Sequence, residues 1–451
     1  MSVVLNLPSR PKSVTETGFE LGFLANSALK TMFSRGVLLG QEIADALKLP
    51  FANIVGNALN SLRRDRLIEV SGSAGVGESS YRYVITREGR ARARELMDQN
   101  QYIGPMPVTL QAYTKMVKAQ SRAGHEITRD TLKRALAHLV LSDEIINQLG
   151  PAINAGRSVF LFGNTGDGKT SIGLATETLL PGMIWIPYAI GVEGQIIKVF
   201  DAQHHRAISE IIQGIAATSE HKGLLSHLAR EGTADNLAIS EVRQNKAYDE
   251  RWVLIHRPLI VGGGELTLKN LDLVFDPLLK IHEAPHQMKA NGGVFLVDDL
   301  GRQQNSPREI LSRWIVPLEK RVDYMRFAMG QKIEVPFDAL IIFATNLDPK
   351  QVADEAFLRR LHYKIHITDP TWEEFREIFK GEAGKRTIPY SEESFEYLIA
   401  EYYTKPKREP RGVHPRDILD GLVDVAHFRG VPPTLSKDLV DSACRTYFLK
   451  G

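Results

Sequence analysis

The amino-acid sequence predicts an α/β fold in which a parallel β-sheet lies between two layers of helices, a three-layer αβα arrangement. Strongly apolar segments alternate with helical patterns in the middle of the chain, which is typical of a parallel sheet covered on both faces. The candidate strands are residues 159–162, 183–187, 294–297 and 340–344. The first of them runs directly into a glycine-rich segment, and after Asp369-Pro370-Thr371 the pattern is helical to the end. We therefore expect an α/β core over residues 151–368 and a helical lid over 369–451.

The composition restricts the class of protein. The chain of 451 residues has 56 Lys and Arg against 54 Asp and Glu, a formal net charge of +2, so any basic surface must be local. Cys444 is the single cysteine, which excludes an internal disulfide framework and fits a reducing compartment. Because no segment has the length of a membrane span and the N-terminus does not resemble a signal peptide, we expect a cytoplasmic protein without a membrane partner.

Residues 1–103 are predicted to form a separate domain. Apolar residues at helical spacing predict three short helices near residues 29–33, 42–47 and 54–62. A hairpin should follow, since the strand-like runs 67–70 and 81–86 flank a tip rich in Gly and Ser. This order resembles the winged helix-turn-helix family, and residues 83–90 are similar to the usual ending of that family. The resemblance implies a module that docks either duplex DNA or a protein.

The next segment connects this domain to the core. Gly104-Pro105-Met106-Pro107 marks a linker, because two prolines and a glycine cannot continue a helix. The pattern is then helical from Thr109 to Ala155, so residues 104–150 are predicted to be a linker and helices that lead into the core. A long spacing further along predicts an insertion at about 191–292, with a mixed-charge helical stretch from about 203 to 245.

The glycine-rich segment has the pattern G-x-x-x-x-G-K-T and lies between a predicted strand and a predicted helix, as a phosphate-binding loop requires. Its glycines allow successive backbone N–H groups to point at phosphate oxygens. Lys169 should reach the β- and γ-phosphates, and Thr170 offers a hydroxyl to Mg²⁺. The residues predicted to bind nucleotide are Gly163, Asn164, Thr165, Gly166, Asp167, Gly168, Lys169, Thr170 and Ser171.

Polar side chains follow two other predicted strands. Asp298 and Asp299 end one strand, and Asn346 ends another. Ligands of open α/β sheets gather at the carboxyl ends of the strands, so these side chains should lie near the phosphate-binding loop. We expect Asp298 to bind Mg²⁺ beside Thr170, Asp299 to orient or deprotonate the attacking water, and Asn346 to position that water or contact the γ-phosphate.

Together these elements resemble the Walker A, Walker B and sensor 1 motifs of the AAA+ ATPase family, over about residues 130–451. The segment 354–360 is similar to the family's arginine-finger segment, and residues 414–418 are similar to the start of its sensor 2 helix. The resemblance implies ATP and Mg²⁺ as cofactors, a finger at Arg359 or Arg360 in the site of a neighbouring subunit, and Arg416 as a contact to the γ-phosphate. It also implies a homo-oligomeric ring, with a hexamer expected.

The second acidic residue departs from the family pattern. Most AAA+ ATPases have Asp-Glu where this chain has Asp298-Asp299, and aspartate is one methylene shorter. Hydrolysis could therefore be slow, or Glu265 in a Gly-rich loop could assist. Asp299 remains the predicted base.

Residues 324–336 are predicted to form two short strands around Gly330-Gln331. This segment resembles the pre-sensor-1 β-hairpin of MoxR-type ATPases and magnesium chelatases. The resemblance implies contact with substrate in the pore of a ring, and a surface hairpin without that role is the alternative.

Three hypotheses for the function remain open. The first is a motor that couples hydrolysis of Mg·ATP to remodelling of a protein client recruited by the N-terminal domain. The second is a motor or regulator that binds duplex DNA through residues 20–97, with Asn53, Asn57 and Asn60 at bases and Arg63, Arg64 and Arg82 at phosphates. The third is a switch or scaffold that binds ATP and hydrolyses it weakly.

Overall fold

The computed structural model describes residues 7–121, 127–180, 182–208, 248–352 and 355–448. Most of the helical stretch predicted from about 203 to 245 lies outside these residues, and so does Asp354 of the predicted arginine-finger segment. Helices and strands are numbered below over the described residues.

The N-terminal unit combines helices with a small antiparallel sheet. Its elements are α1 (Leu21–Arg35), β1 (Leu38–Leu39), α2 (Gly40–Leu47), α3 (Gly56–Arg64), β2 (Ile68–Ser73), β3 (Tyr81–Ile85) and α4 (Arg87–Gln99). Strand β3 pairs antiparallel with both β1 and β2. Leu29, Ile43, Leu59 and Tyr83 are buried in its core. The predicted helices and hairpin are thus present, and membership of the winged helix family stays a prediction.

The middle of the chain alternates between strands and helices. Up to residue 198 the elements are β4 (Val108–Thr109), α5 (Leu110–Ala119), α6 (Arg129–Ala135), α7 (Asp143–Asn154), β5 (Val159–Gly163), α8 (Lys169–Ala175), β6 (Met183–Pro187), β7 (Ala189–Val192) and β8 (Gln195–Lys198). From residue 252 to 297 they are β9 (Trp252–His256), β10 (Leu259–Gly262), β11 (Val274–Asp276), β12 (Ile281–Glu283), α9 (His286–Lys289) and β13 (Val294–Val297).

The remaining elements complete the core and form the C-terminal region. Up to residue 367 they are α10 (Pro307–Arg313), α11 (Ile315–Lys320), β14 (Val322–Arg326), β15 (Lys332–Pro336), β16 (Leu340–Thr345), α12 (Pro349–Val352), α13 (Glu355–Leu358) and β17 (Tyr363–Ile367). The helices that follow are α14 (Trp372–Lys385), α15 (Glu392–Ile399), α16 (His414–Arg429) and α17 (Lys437–Tyr447).

A five-stranded sheet, all parallel, forms the core in the order β10-β13-β16-β5-β17. Side chains alternate between its two faces. On one face, Leu161 and Leu296 pack with Ile153 of α7 and Ile172 of α8. On the other face, aromatic side chains such as Phe343 pack with residues of α10. The predicted α/β fold class, with a parallel sheet and helices on both faces, is confirmed.

The prediction for residues 183–187 was wrong in one respect. They form a strand, but β6 pairs antiparallel with β9 in a separate two-stranded sheet. The parallel sheet instead contains β10 and β17, which the sequence analysis did not identify. Strand β17 is an edge strand with alternating buried and exposed residues, so it lacks a continuous apolar run. Strand β10 lies within the range predicted as an insertion, 191–292.

A second, mixed sheet has the strand order β11-β12-β8-β7-β4. Strands β14 and β15 form the predicted hairpin, which turns at Gly330 with a φ of +90°. Met325 and Val335 of the hairpin are buried in one cluster with Ile197 of the second sheet, whereas Met329 at the tip is 85% exposed. The hairpin is therefore anchored along its strands and exposed at its turn.

The C-terminal region is helical, as predicted. Helices α14 to α17 bury Phe375, Phe379, Leu419, Leu422 and Cys444 in their own core. Within the described residues, no helix combines the length and the apolar character needed to cross a membrane.

Candidate nucleotide-binding site

The phosphate-binding loop begins at the carboxyl end of β5. Gly163 has a φ of +153°, and a Cβ at this position would lie 2.1 Å from the carbonyl oxygen of Ile367 in β17. Only glycine allows the two backbones to approach so closely. The loop then passes through Gly166 and Gly168, whose φ values are +91° and +87°. It ends where α8 begins, at Lys169.

Backbone donors of this loop are available for an anion. Within the described part of the chain, the N–H groups of residues 165–168 have no protein acceptor. The N–H groups in the first turn of a helix also lack intrahelical partners, and the helix dipole favours negative charge there. Thr165 is exposed, and Ser171 lies half-buried in the first turn of α8. The loop can therefore cradle phosphate oxygens.

The side chain of Lys169 is buried and turned back into the loop. Its Nζ donates hydrogen bonds to the carbonyl oxygens of Gly163, at 3.0 Å, and of Asn164. Burial lowers the pKa of Lys169, although the carboxylates of Asp167, Asp299 and Asp298 oppose that shift. The ammonium group thus lies inside the loop and within electrostatic reach of these three aspartates.

Thr170 and Asp298 meet across the sheet edge. The Thr170 hydroxyl donates to Asp298 Oδ1 at 2.9 Å, and the backbone N–H of Asp299 donates to the same oxygen at 3.0 Å. A hydroxyl and a carboxylate are hard oxygen ligands of the kind that Mg²⁺ binds together with nucleotide phosphates. The predicted pair therefore lies together, and its chemistry fits a magnesium ion.

Asp299 has an unusual backbone conformation. Its φ is +48°, in the left-handed region that residues other than glycine rarely adopt. Its side chain is 46% exposed, and Arg302 Nε lies 3.9 Å from its Oδ2. Such outliers concentrate at functional sites, where surrounding structure maintains them. The conformation places the carboxylate at an accessible position next to Asp298.

Asn346 directly follows β16, the strand between β13 and β5. The preceding Thr345 is fully buried, and its hydroxyl donates to the carbonyl oxygen of Leu300 at 2.6 Å. Asn346 itself is half-buried. The strand order therefore places Asn346 between the end of β13, which carries the two aspartates, and the phosphate-binding loop.

Gln303 is a supporting residue that the sequence analysis missed. Its amide nitrogen donates to the carbonyl oxygens of Asp298, at 2.9 Å, and of Gly263, at 3.1 Å. Glu265 stays with its own loop, because its carboxylate accepts the N–H of Gly263 at 2.8 Å and this bond lowers the pKa of Glu265. No local pattern marks Gln303, since its partners are backbone groups of Gly301, Asp298 and the distant Gly263.

The structure does not bring Arg359 or Arg360 to this site. Both precede β17, whose first residue pairs with the first residue of β5, so they lie at the opposite end of the sheet. A five-residue strand spans about 15 Å. Arg359 pairs with Glu355 at 2.6 Å and its side chain is 76% exposed, whereas Arg360 pairs with Glu319 at 2.5 Å and is 29% exposed.

On the lid, a different arginine faces the loop from the one predicted. Arg416 is exposed and contacts its neighbour Asp417 at 2.9 Å. Arg411 lies 3.6 Å from Asp369, a residue bound to the loop through Asn164 at 2.9 Å. Of these two lid arginines, Arg411 therefore lies closer to the phosphate-binding loop.

Comparisons with known proteins give distant similarities. Residues 371–446 match the model of a domain of unknown function, DUF8689. No curated protein matches the chain. Similar solved structures include NtrX from Brucella abortus in complex with ADP, 14% identical, with a TM-score of 0.38 over 68% of this chain and 56% of NtrX. A mutant of RuvB from Thermotoga maritima is 10% identical, with a TM-score of 0.37 over 68% of this chain and 69% of RuvB. The chain thus spans a little over half the length of NtrX.

Proposed function

We propose that this chain is an AAA+ ATPase that binds Mg·ATP at the carboxyl edge of its parallel sheet and hydrolyses it. The observation that carries the proposal is the hydrogen bond of 2.9 Å between Thr170 in the loop and Asp298 at the end of β13. It joins the phosphate-binding and metal-binding groups that such chemistry requires. The sheet order then adds Asn346 between them.

Each residue has a separate role in this proposal. Lys169 leaves its carbonyl partners in the loop and contacts the phosphates. Bound Mg²⁺ would neutralise charge that develops on the phosphate oxygens, held by Thr170 and Asp298. Asp299 accepts a proton from the attacking water, which Asn346 orients. The exposed position of the Asp299 carboxylate suits a group that must meet water.

The proposed assembly is a homo-oligomeric ring, expected to be a hexamer, that remodels a protein client. A guanidinium that stabilises the transferring phosphoryl group in trans contributes about 10³–10⁵ in rate. Arg359 and Arg360 lie at the end of the sheet opposite to their own loop, which suits action in a neighbour's site. Arg359 is the better candidate, since its side chain is 76% exposed.

The first test compares ATP binding and hydrolysis by the wild type, Lys169→Ala and Asp299→Asn. We expect Lys169→Ala to lose nucleotide binding, because the ammonium is the cation within the loop. Asp299→Asn should bind ATP normally and hydrolyse it about 10²–10⁴-fold more slowly. Glu265→Gln is the matched control, since this carboxylate is occupied by the N–H of Gly263.

The outcomes separate the alternatives. A wild type that binds no ATP contradicts the proposal. Normal hydrolysis by Asp299→Asn with loss in Glu265→Gln would move the base to Glu265. A wild type that binds ATP and assembles, yet hydrolyses it only marginally, would support the switch or scaffold instead.

A mixing experiment tests the ring. Lys169→Ala has an intact finger and a defective loop, whereas Arg359→Ala has the reverse. If the finger acts in trans, a mixture of the two inactive proteins should regain activity in the shared sites. Arg360→Ala serves as the comparison, and a monomeric particle in the presence of ATP would contradict the ring.

A second candidate function is binding of duplex DNA by the N-terminal unit. Arg87, Arg90 and Arg94 recur on one face of α4 and are exposed, and exposed Arg66 lies next to the start of this helix. The Thr86 hydroxyl donates to the carbonyl oxygen of Arg66 at 2.9 Å, which fixes that proximity. Four arginines on one surface suit a phosphate backbone.

Salt-dependent binding of duplex DNA by the full chain tests this candidate. We expect Arg90→Glu with Arg94→Glu to weaken binding and to flatten its dependence on salt. Arg92→Glu is the control, because Arg92 pairs with Glu95 at 2.9 Å on another side of the helix. Absence of salt-dependent affinity in the wild type would favour the protein client.

A further inference from the structure

The side of the phosphate-binding loop that faces the lid carries a negative charge of its own. Asp167 precedes Gly168 in the loop, and only 8% of it is exposed. Neither of its carboxylate oxygens has a hydrogen-bond partner within the described residues. Burial and the carboxylate of Asp369, which is near enough to share a hydrogen bond with Asp167 once one of the two is protonated, raise the pKa of Asp167 to about 6. An unpartnered buried carboxylate is unfavourable, and its charge opposes the approach of a phosphate.

Asp369 joins the loop to the lid. Asn164 Nδ2 donates to Asp369 Oδ2 at 2.9 Å, and Arg411 Nη1 lies 3.6 Å from Asp369 Oδ1. Asn164 belongs to the loop, Asp369 follows strand β17, and Arg411 precedes helix α16. We name Asn164, Asp167, Asp369 and Arg411 the loop–lid cluster. It contains two carboxylates and one guanidinium, so its own side chains have an excess of negative charge.

The segment that carries Arg411 packs directly on the loop. A Cβ at Gly166 would lie 2.5 Å from Cγ1 of Val413, and a Cβ at Gly412 would lie 3.0 Å from the carbonyl oxygen of Gly166. Two glycines therefore permit the lid segment to touch the loop backbone. This contact brings the long side chain of Arg411 within reach of an anion bound by the loop.

We propose that Arg411 exchanges partners when nucleotide binds: it leaves Asp369 for a nucleotide phosphate, and the charges of Asp167 and Asp369 oppose this binding. This inference rests on the proposed function, because it assumes that the loop binds nucleotide. A planar guanidinium binds carboxylate and phosphate through the same paired N–H geometry, so the exchange needs no new chemistry. The loop–lid cluster then sets nucleotide affinity and couples it to the position of the lid.

Calorimetry with a non-hydrolysable ATP analogue and Mg²⁺ at pH 8 tests the exchange in the full chain. We expect Asp167→Asn and Asp369→Asn each to bind the analogue about 10-fold more tightly, within the usual range of coupling between neighbouring sites. Arg411→Ala should bind it about 10-fold more weakly. Asp420→Asn and Arg376→Ala, which break exposed ion pairs on the lid at 2.7 and 2.6 Å, should match the wild type.

A double variant distinguishes the exchange from simple repulsion. If Asp369 acts partly by holding Arg411, Asp369→Asn should tighten binding less in the Arg411→Ala background than in the wild type. Equal gains in both backgrounds would contradict the exchange and leave repulsion as the whole effect of Asp369.

The pH dependence provides a second readout. The charged groups that face Asp167 are Asp369, Lys169 and Arg411. As the pH rises from about 5 to 8, Asp167 gains its charge, so wild-type affinity should fall relative to that of Asp167→Asn. Titration of the nucleotide itself cancels in this ratio.

The outcomes are distinguishable from failure of the proposed function. Wild-type affinity in both Asp167→Asn and Asp369→Asn, or weaker binding than wild type, would overturn the role of the acidic pair. Wild-type affinity in Arg411→Ala would overturn the exchange. A wild type that binds no analogue would contradict nucleotide binding itself. Thermal melting of each variant verifies folding, and Asp369→Asn carries the test if Asp167→Asn does not fold.

Discussion

The two sides of the phosphate-binding loop are built differently. On the side that faces β13, the Thr170 hydroxyl and the backbone N–H of Asp299 both donate to the carboxylate of Asp298, at 2.9 and 3.0 Å. On the side that faces the lid, the Asp167 carboxylate is buried without a hydrogen-bond partner in the described residues. Arg411 lies 3.6 Å from Asp369, a separation that is typical of an ion pair and too long for a hydrogen bond. The first side is hydrogen-bonded, whereas the second holds a buried carboxylate without such a bond in the described residues.

The difference indicates which side changes when a ligand binds. Thr170 and Asp298 belong to elements fixed by the core sheet, so they can offer one rigid metal-binding geometry. In the loop–lid cluster, Asn164 and Asp369 follow the paired strands β5 and β17, whereas Arg411 lies on the lid, which no β-ladder of the described residues joins to the loop. Buried carboxylates without partners are unfavourable and occur preferentially at functional sites. We therefore expect substitutions on the metal side to alter chemistry, and substitutions on the lid side to alter affinity and stability.

The largest effect on the metal dependence of hydrolysis should come from Asp298→Asn. An amide is a weaker magnesium ligand than a carboxylate, and loss of metal stabilisation of several kcal/mol predicts hydrolysis slower by about 10²–10³-fold. The measurement is the rate of phosphate release as a function of Mg²⁺ concentration. Asp298→Asn should require more Mg²⁺ and recover partly when it is supplied.

Asp299→Asn is the matched control for that prediction. It lies one residue further along and should lower the rate without changing the Mg²⁺ requirement, because its proposed role is to accept a proton. If both variants showed the same shift in Mg²⁺ requirement, Asp299 would be a metal ligand and the assignment of the two aspartates would be wrong.

An intermediate effect should separate Gly166 from Gly168. Both have a positive φ, so alanine at either position costs about 1–2 kcal/mol in backbone strain. At Gly166 the new Cβ would also meet Val413 at 2.5 Å, whereas at Gly168 nothing lies within 4 Å. We expect Gly166→Ala to lower the free energy of unfolding by about 1–3 kcal/mol more than Gly168→Ala, as overpacking does.

Urea denaturation measures this difference, and Val413→Ala provides the test of its cause. Adding Val413→Ala to Gly166→Ala should restore part of the lost free energy of unfolding, and adding it to Gly168→Ala should restore none. Equal effects in the two backgrounds would show that the lid does not pack on the loop in solution.

Local patterns in the sequence located the segments on the β13 side of the loop and most of the core. The glycine-rich loop and the paired aspartates are each contained in a short segment, and their proximity follows once both preceding strands belong to one parallel sheet. The strands β10 and β17 could not be identified in this way. One is a run of four residues, and the other alternates like a half-exposed strand, so neither resembles a buried parallel strand.

The lid side depends on contacts that no local pattern encodes. Arg416 lies in a segment that is similar to a known motif, whereas Arg411 lies in a loop, and its proximity to Asp369 arises only from the packing of the lid. The burial of Asp167 has the same origin. The sequence of a glycine-rich loop does not show whether an aspartate within it is buried or exposed. Gln303 likewise binds backbone carbonyls. Every residue has one, so the sequence does not show which of them Gln303 contacts.

The smallest effect should appear in the stability of the ligand-free protein carrying Asp167→Asn. Because the pKa of Asp167 is raised from 3.8 to about 6 on folding, the folded state binds more protons than the unfolded state between these values. The wild type should therefore lose stability through this group as the pH rises across that window, and the loss is complete above it. Asp167→Asn, which cannot ionise, should be more stable than the wild type by about 1 kcal/mol at pH 8 and equally stable below the window.

Urea denaturation of both proteins at several pH values measures the difference, with Asp420→Asn as the exposed control. A variant less stable than the wild type at pH 8 would show that the Asp167 carboxylate has a stabilising partner in solution, and the contrast between the two sides of the loop would then disappear.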